Sequence, residues 1–384
     1  MMKMLFWGHN GNVHHPLEEM HHLSPARRQA QAKAFADAGY DVTMATFHRE
    51  GVVDLAPNLR RRHIFDLNIE EFDIVFLNFR LAINQLYNYA YGLESRHSRI
   101  FQNRETYFRK ILDHPNIAIQ LDAPRSFVTD GNTQEEVRLL KHLKHIGIST
   151  HQGIKNWEKT RKTNNHFLCH AATISYRPDI GEDPMPVSGR KRVLYLGRLN
   201  DAAEISSLDK LEELAKRLPD TDFVVVSCKI RNKFNGRMIT PMLTDPDHVT
   251  QNKIVEAKKQ FIAPNIVFMP GPRYSDTFQY MYHADLGIGF AVRGGQDACS
   301  CKVYEYLGTG CPIVIEDHVP EAWLLDEVEC GLKSKTHDFD DMAAKIEEAL
   351  KIPYDRSNIK NHVLKNHSYE TRVQQYINRF EEVK

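Results

Sequence analysis

Short apolar runs rich in β-branched residues alternate with longer amphipathic stretches along most of this chain. In the first half the apolar runs are 3–8, 42–46, 73–78, 116–121 and 146–150, each of strand length. The clearest helical stretch among them is 25–38, with Ser24 as N-cap, Pro25 at the first helical position and Gly39 as its stop. A second series follows, with strands at 192–196, 223–227, 266–269, 285–290 and 312–315 and helices at 207–217, 275–283, 301–308 and 338–350. A last amphipathic run, 368–382, predicts a terminal helix. Strands alternating with helices predict parallel, doubly wound α/β sheets. Residues 177–190 carry three prolines and no periodicity, which reads as a linker between the two series.

Composition narrows the setting. A chain of 384 residues, 42% hydrophobic, has core enough for two domains. No apolar run reaches the roughly 18 residues that span a bilayer, and the opening Met1–Gly8 segment reads as a first strand rather than a signal peptide. Six scattered cysteines (Cys169, Cys228, Cys299, Cys301, Cys311, Cys330) fit reduced thiols better than a disulfide framework, so the expected location is cytoplasmic. Net charge is zero, which removes any global pull toward nucleic acid or anionic membrane. Residues 1–185 are slightly basic, with 23 Lys+Arg against 21 Asp+Glu and 14 of the 20 histidines.

The most informative segment is 293–315, Arg-Gly-Gly-Gln-Asp-Ala-Cys-Ser-Cys-Lys-Val-Tyr-Glu-Tyr-Leu-Gly-Thr-Gly-Cys-Pro-Ile-Val-Ile. A small, polar loop enters a short helix carrying Glu305; Gly310 and Pro312 then stop it before an apolar strand. Backbone N–H groups at such a helix start suit phosphates, and a carboxylate one turn inside suits ribose hydroxyls. Asp297 and Glu305 lie eight residues apart, about two helical turns, so both can face one side of a cleft. An ordinary amphipathic helix capped by Ser300 explains the same pattern.

This segment resembles the nucleotide-sugar motif of the retaining GT-B glycosyltransferases, the group 1 or family 4-like nucleotide-sugar transferases. Asp297 stands for the usual first glutamate, Ala298-Cys299-Ser300 for the Gly-rich loop, and Lys302-Val303-Tyr304-Glu305-Tyr306-Leu307 is close to a Lys-x-x-Glu-Tyr-x variant. The resemblance extends in outline over nearly the whole chain. It implies two doubly wound Rossmann-like domains facing across a cleft: 1–176 for the acceptor, linker 177–190, 191–366 for the nucleotide sugar, and a helix in 367–384 crossing back to the first domain.

Further site residues follow from the resemblance. Gly197-Arg198-Leu199 places an arginine on the donor diphosphate, where a guanidinium offers several fixed donors. The family's lysine about five residues later is absent, and Lys302, or Lys229 and Arg231, would replace it. Gly271 sits in a loop matched to the one whose backbone reads the base; a plain turn capped by Ser275 fits equally. Gly8 and Gly11 let backbone approach the transferred sugar, and the long loop carrying His14 and His15 is assigned to the acceptor with Arg125. Asp122, ending a strand, either meets a sugar hydroxyl or accepts the acceptor's proton, or else forms a turn before Pro124. Donor contacts are assigned to Asp297, Cys299, Ser300, Cys301, Lys302 and Glu305, and diphosphate stabilisation to Arg198 and Lys302.

The expected activity is therefore transfer of a sugar, with retention, from a nucleotide-diphosphate sugar (a UDP-sugar favoured) to a hydroxyl of a glycan or small glycoconjugate. No cofactor is required on this reading. The histidine pairs 14/15 and 21/22 and Cys299-x-Cys301 lack metal-site spacing, so no metal site is expected. Nor does the chain show a Gly-x-Ser-x-Gly nucleophile or a phosphate-loop Gly-Lys-Thr. Three alternatives stay open. Basic stretches at 60–63, 95–110 and 141–162 suit duplex DNA, as in phage-type transferases acting on 5-hydroxymethylated pyrimidines. A sugar-nucleotide epimerase and an inactive donor-binding protein are the others.

Overall fold

Strands buried on both faces need near-continuous apolar sequence, and the central strands have it. Every residue of Ile117–Leu121, Ile74–Asn78 and Thr221–Ser227 is buried. The structure is a computed structural model describing residues 1–8, 23–46, 52–78, 105–122, 143–160, 165–175, 179–197, 207–227, 262–270, 272–291 and 300–382.

The first sheet comprises β1 (Lys3–Gly8), β2 (Asp41–Thr46), β3 (Val53–Ala56), β4 (Leu59–His63), β5 (Ile74–Asn78), β6 (Ile117–Leu121), β7 (Leu143–Ile148) and β8 (His166–Leu168). Its order is β3-β4-β2-β1-β5-β6-β7-β8, parallel except for the β3–β4 pair. The second comprises β9 (Lys191–Leu196), β10 (Thr221–Ser227), β11 (Ile266–Pro270), β12 (Leu286–Gly289), β13 (Ile313–Glu316) and β14 (Gly331–Ser334). Its order, β11-β10-β9-β12-β13-β14, is wholly parallel. Each sheet reverses direction beside its first strand, between β1 and β5 and between β9 and β12. Open α/β sheets bind ligands beyond the carboxyl ends of strands at such a reversal, which directs attention to Gly8 and Gly197.

The described helices are α1 (Leu23–Asp37), α2 (Glu105–Leu112), α3 (His151–Thr160), α4 (Ser207–Arg217), α5 (Thr277–His283), α6 (Cys301–Gly308), α7 (Leu324–Glu327), α8 (Phe339–Ala349), α9 (Arg356–Asn366) and α10 (Tyr369–Glu382). Helix α1 begins at Leu23, so Ser24 lies inside it rather than capping it. Gly39, at φ +94°, is the expected stop, and the Tyr40 amide reaches back to Phe35. Helix α4 buries Leu208, Leu211, Leu214 and Ala215, a single stripe packed with α8 over β10.

The basic run at 60–63 does not form a free phosphate-binding face. It is strand β4: Arg61 is only 2% exposed, Arg60 pairs with Asp41, and Arg62 donates to the Asp66 carbonyl. Of the run 95–110, residues 95–104 lie outside the described residues, as do 141–142 and 161–162 of the third basic stretch.

Helix α10 packs on α1 and β7 of the first sheet. Tyr376 leads the contact: its hydroxyl lies 2.9 Å from the Ile119 carbonyl and 2.7 Å from Gln120 Oε1, and its ring stands edge-on to Phe76 and Phe167. Gly147 of β7 makes this approach feasible, since a Cβ there would fall 2.0 Å from the Tyr376 oxygen. One turn earlier, Arg372 donates to Asp122 at 2.9 Å and to Ser149 at 3.0 Å. Asp122 also accepts from Arg27 of α1 at 3.1 Å and from Ser149 at 2.6 Å. Burial alone would raise the Asp122 carboxyl, but the Arg27 and Arg372 guanidiniums and the Ser149 hydroxyl together hold it well below the usual carboxylate range.

Removing the carboxylate leaves the buried Arg372 without its counter-charge. Asp122→Ala should therefore lose about 3 kcal/mol of stability, measured by urea unfolding. Because the folded pKa is depressed, the stabilisation is whole above the unfolded value and fades as pH falls toward the folded one. Asp122→Asn should accordingly show a flatter stability profile than the parent chain below about pH 5.

Candidate functional site

The site is built around α6. Gly310 ends this helix at φ +77°, with the Gly310 amide donating to Leu307 and the Cys311 amide to Tyr306. A side chain at 310 would strike the Arg356 carbonyl at 2.3 Å, so the stop is also a packing requirement. Within the helix, Tyr306 sets the rotation. Its hydroxyl accepts from the Leu196 amide at 2.7 Å and donates to the Leu194 carbonyl at 3.0 Å, both on β9. Its ring lies across Gly287 of β12, where a Cβ would stand 2.9 Å from a ring carbon.

Lys302 precedes Tyr306 by one turn on the same face, and the rotation delivers it to the carboxyl end of β9. Its Nζ sits 4.7 Å from the centre of the Tyr195 ring and 2.6 Å from where a Cβ on Gly197 would be. No carboxylate among the described residues pairs with it. The geometry thus brings Lys302 and Gly197 together at the reversal point of the second sheet.

Glu305 faces another way. Its side chain is 1% exposed, and Oε2 accepts from the Thr173 hydroxyl at 3.0 Å, so this carboxylate touches the stretch that leaves the first sheet. Ser300 is the N-cap of α6, yet its hydroxyl makes no capping bond; its amide donates to the buried Glu321 at 2.8 Å. That amide is engaged by a carboxylate rather than open to a phosphate, and the capped-helix alternative is not what the structure shows. Cys301 is buried.

Asp122 is engaged by two guanidiniums, Arg27 and Arg372, which hold its carboxyl below the usual range and tie it to α10. Gly8 ends β1 opposite Asn78 of β5, at the reversal of the first sheet. Gly11, His14, His15, Arg125, Arg198, Lys229, Arg231, Gly271, Asp297 and Cys299 lie outside the described residues.

Sequence reasoning missed a buried ion pair below the site. Lys210 of α4 meets Glu316, the last residue of β13, at 2.6 and 2.7 Å, and both side chains are about 98–99% enclosed. Glu316 also accepts from the Ala291 amide at 2.6 Å and the His337 amide at 3.1 Å. The pair therefore fixes the backbone leaving β12 toward 292–299. The one sequence signal was a lysine at a position of α4 where its neighbours Leu208, Leu211 and Leu214 mark the core face.

The comparisons with known proteins agree with this geometry. Residues 211–378 match the family model described as glycosyl transferase-like. No curated protein sequence matches the chain. Among solved structures, sucrose-phosphate synthase from Thermosynechococcus elongatus superposes with a TM-score of 0.67 at 13% identity, covering 100% of this chain and 99% of its own. A UDP-forming α,α-trehalose-phosphate synthase from Burkholderia xenovorans, in complex with glucose-6-phosphate, gives 0.65 at 10% identity over 99% and 100%. The E. coli trehalose-6-phosphate protein bound with UDP-2-fluoro glucose gives 0.61 at 10% identity over 98% of both chains. The chain has the GT-B fold. The structural likeness establishes that fold, and the segment similar to the glycosyl transferase-like family, residues 211–378, includes Lys302 and Glu305.

Breaking the Lys210–Glu316 pair on one side strands a buried charge. Lys210→Met should destabilise the protein by about 3–5 kcal/mol, whereas Lys210→Met with Glu316→Leu should recover much of that loss. Thermal unfolding of both variants checks the expectation.

Proposed function

We propose that this protein moves a hexose from a UDP-sugar to an acceptor hydroxyl with retention at the anomeric carbon. The observation that carries the reading is the Lys302 ammonium at the end of β9, beside Gly197 and without a carboxylate partner among the described residues. Gly197 is next in sequence to Arg198, and this supports Lys302 as the replacement for the family's missing lysine. Structural neighbours that bind UDP-2-fluoro glucose or form UDP support the choice of donor.

In the reaction the bond between the anomeric carbon and the diphosphate oxygen breaks, and the acceptor oxygen bonds to that carbon from the same face. Negative charge gathers on the departing diphosphate, where Lys302 and Arg198 stabilise it; preorganised charges of this kind are often the largest catalytic contribution. With Asp122 too acidic to serve, the diphosphate itself takes the proton that the acceptor hydroxyl loses. Glu305, released from Thr173, holds the ribose, and Asp297 the sugar hydroxyls. The acceptor is a hydroxyl of a glycan, a glycoconjugate or a small sugar, reached from the Gly8 side.

Incubation with UDP-glucose and a panel of sugar and sugar-phosphate acceptors, followed by UDP release and product NMR, tests the assignment. Lys302→Ala should lower kcat about 10²-fold or more while leaving unfolding near the parent. Glu305→Ala should weaken UDP-sugar binding by calorimetry. Sugar interconversion without acceptor would point to an epimerase. Binding without turnover on any acceptor would point to an inactive donor-binding protein, and absence of any UDP-sugar binding would overturn the donor assignment altogether.

A further inference from the structure

Away from the donor site, α7 and the end of α9 bring Glu327, His362 and His367 together. Their ligand atoms all lie within 4.8 Å of one another, the one such group found among the described residues. Both imidazoles turn the same nitrogen inward: His367 Nε2 is 2.9 Å from Glu327 Oε2, and His362 Nε2 is 3.3 Å from the same oxygen. Zinc bound tetrahedrally at about 2.0–2.1 Å sets its ligand atoms about 3.3 Å apart. One observed separation equals that edge, the other is about 0.4 Å shorter, and the third lies within 4.8 Å, so small side-chain rotations would admit a cation.

The surroundings are those of a held ligand set. His367 is buried, its ring enclosed by Trp323, Tyr304, His170 and His362. Its backbone is fixed on both sides, the amide donating to Val363 at 2.8 Å and the carbonyl accepting from Thr173 at 2.9 Å. His362 Nδ1 lies 3.4 Å from the Asn366 side-chain amide, which with its oxygen turned inward would accept the Nδ1 proton once Nε2 is metal-bound. Glu327 and His362 remain 40% and 28% exposed, leaving a path for the ion and room for water as a fourth ligand.

We propose that Glu327, His362 and His367 form a binding site for zinc or a similar borderline divalent cation, with two imidazoles, one carboxylate and water. Its role is structural. The ion would clamp α7 to the end of α9, immediately before the pairing of Thr173 with Ser368 that starts the return of the chain to the first sheet. The ion takes no part in sugar transfer, and the site needs no catalytic step.

The test is zinc titration of chelator-stripped protein by calorimetry, with cobalt absorption as a second readout. The parent should bind one equivalent that is lost in His362→Ala and weakened at least tenfold in Glu327→Gln, and zinc should raise the melting temperature of the parent alone. Cobalt should give the intense visible bands of a four-coordinate N/O site in the parent and not in His362→Ala. Both substitutions are at partly exposed positions, so both variants are expected to fold, and their melting without metal verifies this. No saturable binding to the parent, or the same stoichiometry and affinity in both variants, overturns the proposal.

Discussion

The Asp122–Arg372 ion pair is the constraint on which the rest of the architecture depends. A guanidinium 3% exposed must be paired where it sits, and Asp122 and Ser149 receive it, Asp122 accepting from Arg27 as well. Pairing Arg372 there fixes α10 over β6 and β7. With α10 fixed, its first residues lie against the stretch leaving the first sheet, and Thr173 exchanges backbone bonds with His367 and Tyr369. The Thr173 hydroxyl then reaches Glu305 on α6. One contiguous set of polar contacts therefore runs from the carboxyl ends of β6 and β7 to helix α6.

Helix α6 serves two faces at once because its phase is determined by Tyr306. That side chain occupies the space above Gly287 and bonds to β9, so the residue one turn earlier is committed to Gly197 and the residue just before it to Thr173. Lys302 and Glu305 are thereby assigned to different neighbours by the helical repeat alone. A rotation of α6 sufficient to turn Glu305 toward the end of β9 would cost the Tyr306 bonds to both Leu194 and Leu196. Helix α6 as it stands therefore offers Lys302 to Gly197 and Glu305 to Thr173.

Much of this was legible in the sequence where burial and period coincide. The apolar strands 3–8, 192–196 and 266–269 and the helices 207–217 and 301–308 were read close to their observed limits, since each has a single apolar face or a Gly stop. Strand β4 was not read, because Leu-Arg-Arg-Arg-His has no apolar alternation and owes its place to pairing between β2 and β3. Helix α9 was also missed; Arg-Ser-Asn-Ile-Lys-Asn-His-Val-Leu-Lys-Asn buries only Ile359 and Val363. For the site, Lys302 was legible through its motif. The partners of Asp122 were not, as Arg372 stands 250 residues away and no local spacing announces it. Glu327 with His362 and His367 is hidden for the same reason, being assembled by tertiary packing.

The contrast between Lys302 and the other enclosed cations bears on function. Lys210 is closed by Glu316, and Arg372 by Asp122, so neither has charge to offer a ligand. Among the described residues Lys302 meets the face of Tyr195 and no carboxylate, a contact worth about 0.5–2 kcal/mol and far short of neutralising an ammonium. No carboxylate among the described residues meets that ammonium, so an anion arriving at the end of β9 would find a positive charge to pair with. On the proposed reading that anion is the donor diphosphate, and its departure with extra negative charge makes the same ammonium a better partner in the transition state than in the ground state.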